Sequence, residues 1–138
     1  MRRFFTMLVA ALAAMLFFAP QAVAGSPHFV GTPTVTRSGD SLIVSGKEAG
    51  LGSETQVTIQ VSAQAACLNP GQNFPQAANK QTFTAEGTFP VQNGKALFEL
   101  TLTATFQPKC SPPMRVVFGD VTVQDTAHGL SVTIPGPF

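Results

Sequence analysis

Past an apolar start, the side chains that could do chemistry are few: His28 and His128, Asp40, Asp120 and Asp125, four glutamates, and the two cysteines Cys67 and Cys110. Ser/His/Asp hydrolysis would have to pair His128 with Asp125 or Asp120, and these fall in a turn sequence, Asp125-Thr126-Ala127-His128-Gly129, with no nucleophile elbow nearby. Glu48 and Glu54 read as loop residues and Glu99 as the solvated phase of a strand, so no carboxylate has a partner assigned by pattern. Asp120, Asp125 and His128 are the best metal-ligand set on offer, and three scattered donors are too few to expect an ion. His28 follows Pro27, which has no amide proton to lose, so an amino-terminal copper site built on consecutive amides is blocked. The expectation is no catalytic residue, no metal and no cofactor: a protein that is not an enzyme.

Cys67 and Cys110 carry the strongest covalent expectation. Two cysteines in an exported chain pair more often than they remain as free buried thiols. Export itself is read from the first residues. Arg2-Arg3 precede an apolar run from Phe4 to Phe18, and Ala22-Val23-Ala24 has the small-x-small pattern of a signal-peptidase site. Residues 1–24 are therefore expected to be a signal peptide cleaved after Ala24, and 25–138 the secreted, extracellular domain with no transmembrane segment. Without the leader, six basic residues face seven acidic ones, a net of −1, which gives no electrostatic case for nucleic acid.

The elements that must position these residues are strands. Val57, Ile59, Val61, Ala63, Ala65 and Cys67 share one phase of a period-2 pattern, with Thr58, Gln60, Ser62 and Gln64 on the other. Thr34–Arg37 and Leu42–Ser45 flank the turn cluster 38–41, and the Gly-rich 46–53 segment reads as a loop crossing between sheets. Residues 83–91 and 96–106 alternate on either side of Asn93-Gly94, a two-residue hairpin signal whose register would pair Phe89 with Phe98 and Gly87 with Leu100. Val116 and Phe118 are out of phase with Val121 and Val123, so either a bulge sits at Gly119-Asp120, the favoured reading, or the inner phase is Val117, Gly119, Val121 and Val123 with the other face partly covered. With Leu130 to Ile134 as the last strand, the pattern predicts an all-β, seven-stranded antiparallel immunoglobulin-like β-sandwich with one disulfide.

Four segments, Ser-Gly-Asp-Ser-Leu-Ile-Val (38–44), Lys-Glu-Ala-Gly-Leu-Gly (47–52), Ala-Cys-Leu-Asn-Pro-Gly (66–71) and Cys-Ser-Pro-Pro (110–113), together with the leader, resemble a group of small exported bacterial proteins with no assigned activity. That resemblance implies no site residue. The first hairpin and the Gly-Leu-Gly turn are also similar to the enediyne-binding apoproteins, which would imply a small-ligand carrier, although the two-disulfide pattern of that family is absent here.

Function is then sought in the longest unpatterned stretch, 68–80, a polar loop tethered at Cys67. The eight Phe of the secreted domain mostly fall on inward phases, and the exception is Phe74, which sits in this loop among Asn69, Gln72, Asn73, Gln76, Asn79 and Lys80. Asn73, Phe74 and Lys80 are the candidate binding residues, and the competing expectation is that Phe74 plugs the end of the sandwich. The reading is a secreted, non-enzymatic binding or surface-associated module whose extracellular partner the sequence does not name. A small-ligand carrier and a hydrolase are the alternatives.

Overall fold

The computed structural model describes residues 25–138, so the leader and its cleavage site lie outside the described residues. The described residues form eight strands: β1 (His28–Phe29), β2 (Thr34–Ser38), β3 (Ser41–Ala49), β4 (Gln56–Leu68), β5 (Gln81–Pro90), β6 (Ala96–Thr103), β7 (Arg115–Asp125) and β8 (Leu130–Ile134). They make two antiparallel sheets. In one, β3 is central, with β6 along residues 41–48 and with β2 and β1 taking successive parts of the other edge. The second runs in the order β5-β4-β7-β8. The count exceeds the expected seven by the two-residue β1, which adds to the far end of β3. Among the described residues no helix is long and apolar enough to cross a membrane.

Inward phases meet between the sheets. Leu42 and Val44 of β3, Phe98 and Leu102 of β6, Val57 to Ala65 of β4, and Phe118, Val121 and Val123 of β7 form one buried cluster. The phase change in β7 is absorbed where expected: Ala63 pairs with Val121 but Ala65 with Phe118, so Gly119 and Asp120 together oppose Gln64. Both halves of β7 thereby send their apolar residues into the same core. Cys67 and Cys110 are bonded, with Cα atoms 5.7 Å apart, tying the end of β4 to the segment entering its antiparallel neighbour β7.

Two expectations change. Asn93 and Gly94, at φ 53° and 72°, do make the turn, and Gln92 and Lys95 exchange backbone hydrogen bonds of 2.8 and 3.0 Å. The ladder stops there, because β5 pairs with β4 and β6 with β3, in different sheets. Apolar side chains on both flanking strands are better buried facing each other across a core than lying side by side on one sheet, where a second layer would still have to cover them. The second change is at 46–49, which continues β3 as strand instead of opening a loop. Gly46 opposes Phe98 and Glu48 opposes Ala96, so the ladder to β6 supplies pairing that local propensity does not.

Candidate functional site

The loop at 68–80 is held close to the second sheet. Asn79 donates to the carbonyl of Cys67 at 3.1 Å, the Asn69 amide donates to Gln72 Oε1 at 2.7 Å, and Lys80 Nζ donates to the Pro75 carbonyl at 2.8 Å. A short 3-10 turn, Phe74–Gln76, presses Phe74 toward the outer face of the sheet beside a small second core of Ala66, Leu68, Ala77 and Val117. This explains why β4 is buried on both faces at its end. The Phe74 ring lies against Gly119, where an added Cβ would fall 2.7 Å from Phe74 Cε1, so the bulge glycine makes room for the ring. Phe74 is thus partly packed, and replacing it disturbs the loop as well as any binding surface.

Beside this contact opens a cleft of about 700 Å³. Asn73, Phe74 and Lys80, chosen from sequence as candidate binding residues, all line it. Its floor comes from the outward phase of β4 and β7, including Ser62, Gln64 and Thr122, and Asp120 and Thr82 complete the polar wall. Lys80 Nζ stands 5.9 Å from the centre of the Phe74 ring. Asp120 Oδ1 accepts from the Gly136 amide at 2.9 Å, which fixes the carboxylate at the rim. The cleft therefore offers one aromatic edge, one cation, one anion and several amide and hydroxyl groups on a scaffold braced by β-sheet and disulfide.

A second group of polar side chains lies on the inner side of the sandwich, at the end of β7. Asp125 is fully buried, and its Oδ1 accepts from the His128 amide at 3.3 Å, capping the one-turn 3-10 segment Thr126–His128. Gly129 at φ 67° then reverses the chain into β8. This turn folds the imidazole back: Nδ1 lies 2.5 Å from Asp125 Oδ2, and Nε2 lies 2.8 Å from Glu54 Oε2. The His128 side chain is only 17% exposed, so this histidine, read from sequence as part of a turn, is anchored against the sheet.

Glu48 completes the group from the opposite sheet. It is fully buried, and neither carboxylate oxygen has a hydrogen-bond partner. Burial, then a hydrogen bond to Asp125 that only the protonated acid can donate, push its pKa up to about 7, with the charge of Asp125 adding to the rise and His128 pulling the other way. His128 is itself raised, chiefly by its hydrogen bond to Asp125. Sequence reading missed Glu48 because it was assigned to a loop. The signal was there: continuing the inward phase Leu42, Val44 through Gly46 reaches Glu48. Asp120, grouped with Asp125 and His128 from sequence, belongs to the cleft instead. His28 is exposed on β1, with Nδ1 2.9 Å from the Ser26 carbonyl oxygen.

No protein-family model matches the sequence, and no curated protein matches it. Among solved structures the chain is similar to a β-glucuronidase from Bacteroides uniformis, at 12% identity and a TM-score of 0.38; the match covers 82% of this chain and 14% of the enzyme.

Proposed function

We propose that the chain is an exported, non-enzymatic binding module of immunoglobulin-like connection, and that it takes a small polar ligand, or a short stretch of a polar polymer, in the cleft beneath the 68–80 loop. The observation that carries this reading is the convergence of Asn73, Phe74 and Lys80 on one cleft of about 700 Å³, within the size range of small-molecule sites. The loop's internal hydrogen bonds support it further, because a preformed wall loses little entropy on binding. Amide and hydroxyl groups suit a ligand rich in hydroxyls or amides, and Lys80 and Asp120 favour one that is uncharged or zwitterionic. A non-catalytic role is supported by the lining, whose only ionisable groups are Lys80 and Asp120, one bonded to a loop carbonyl and the other to a backbone amide. Export is supported by the leader sequence and by the disulfide, which suits an oxidising compartment.

The test is a screen of oligosaccharides, polyols and short peptides against the isotope-labelled protein, followed by amide chemical shifts. Binders should move Ser62, Gln64 and Thr122, and should be lost in Asn73→Ala/Thr82→Ala, whose melting should be unchanged because both residues are exposed. Binders that shift other surfaces and survive this double substitution would refute the reading.

A further inference from the structure

We propose that Glu48, Asp125 and His128 form a binding site for one divalent transition-metal ion of the zinc class. One donor atom from each of the three lies within 4.8 Å of the other two, so side-chain shifts of about 1 Å would let a single ion gather them with bonds of about 2.0–2.2 Å. An acidic cluster alone would not point to a ligand. What does so is Glu48: a side chain with no exposed surface, beside Asp125 and His128, which as a carboxylate has no donor for either oxygen and as an acid can only donate to Asp125. Buried polar atoms are ordinarily satisfied, and an orphaned pair asks for a proton or a cation.

The second sphere is already in place. Glu54 accepts from His128 Nε2 at 2.8 Å, which holds the proton on Nε2 and leaves the Nδ1 lone pair for a metal facing the two carboxylates. Carboxylate–histidine–metal arrangements of this kind orient the ring and raise its basicity. Asp125 is fixed through its Oδ1 contact with the His128 amide, leaving Oδ2 as the ligating atom. Without the ion, the place of the cation is taken by the proton shared between Nδ1 and Asp125 Oδ2 and by any proton on Glu48. Binding therefore releases protons to solvent, and the ion must push Asp125 Oδ2 and Nδ1 apart from their 2.5 Å contact. One nitrogen and two oxygens suit zinc, cobalt or manganese better than calcium, which takes six to eight oxygens. The ligands come from β3 in one sheet and from β7 with its following turn in the other, so a bound ion would clamp the two sheets together.

The whole secreted domain, stripped with chelator, should bind one zinc per chain in calorimetry at a dissociation constant of about 10 μM or tighter. Zinc should raise its melting temperature, calcium should not, and the imidazole nitrogen spectrum should change at His128 Nδ1. Glu48→Gln, which keeps the shape and removes the charge, should weaken zinc at least about tenfold, and Glu54→Gln should weaken it less. His28→Ala should change nothing. Absence of saturable binding up to about 1 mM zinc would overturn the proposal. So would an unchanged His128 spectrum, or affinity lost in His28→Ala and kept in Glu48→Gln. If Glu48→Gln fails to fold, the His128 spectrum of the unsubstituted protein decides alone.

Discussion

The rings of Phe89 and Phe98 face each other from opposite sheets with centroids 6.2 Å apart, and Phe98 is also in edge contact with Phe29 at 6.0 Å. Phe98 covers Gly46, where an added Cβ would lie 2.6 Å from its Cζ. With Phe29 and Phe89 around it, Phe98 has nowhere to retreat. Gly46→Ala is therefore expected to cost about 1–3 kcal/mol by overpacking, read as a lower urea midpoint at an unchanged slope. Stability equal to the parent would show that the three rings are free to shift.

The same rings explain what was legible in the sequence. The hairpin register inferred from Asn93-Gly94 named Phe89 with Phe98 and Gly87 with Leu100, and both pairs do touch: Leu100 Cδ2 would lie 2.9 Å from a Cβ on Gly87. Period-2 phase identifies which residues share the core, but side-by-side and face-to-face partners have the same phase. The bulge at Gly119-Asp120 was one of two readings of a phase change within one strand, the other being partial cover of the outer face, and both features occur: the register shifts between Ala63 and Ala65, and Val117 is buried on the outer side. The cleft was half visible: a tethered polar loop with one aromatic marks a wall, whereas the floor is the outward phase of β4 and β7, which looks like any solvated face. Glu48 was hidden because a charged residue after glycine resembles a loop, and only pairing with β6 makes it strand.

Reducing the Cys67–Cys110 bond, which closes a separation of 43 residues, should cost about 2–4 kcal/mol through the added freedom of the unfolded chain. Chemical unfolding with and without reductant measures this directly. Because Cys67 anchors both β4 and the 68–80 loop, hydrogen exchange should rise in that loop before it rises in β3 and β6. Uniform loss of protection would contradict that order.

Phe74→Ala should lower stability by about 1–3 kcal/mol, since the ring packs against Gly119 and the small core of Ala66, Leu68 and Val117. Asn73→Ala, at an exposed position, should fall within about 0.5 kcal/mol of the parent. A triple replacement of Asn73, Phe74 and Lys80 would therefore mix lost packing with lost binding. If Phe74→Ala is neutral, the ring is free to serve a ligand alone, and the loop is looser than its hydrogen bonds imply.

The last expectation concerns pH in metal-free protein. The groups acting on Glu48 are Asp125, His128 and Glu54. The folded state holds the Glu48 proton up to about pH 7, whereas the unfolded carboxyl loses it near 4.5. Its contribution is therefore full below about pH 4.5 and is lost as pH rises through about 7. His128 acts in the same sense: its folded value lies above 6.5, so its contribution is full below that value and is lost at higher pH. Because its shift is shared with the coupled Asp125, His128 and Glu54, the Glu48 share is of order 1–2 kcal/mol. Urea unfolding of the parent and of Glu48→Gln, in chelator between about pH 4.5 and 8.5, reads Glu48 together with its coupling to Asp125, Glu54 and His128, because the more distant carboxylates cancel in the difference. The parent should lose stability relative to Glu48→Gln as pH rises, whereas added zinc should reverse the trend, since its ligands bind only once deprotonated. A flat difference in chelator would mean that water enters the sandwich and solvates Glu48.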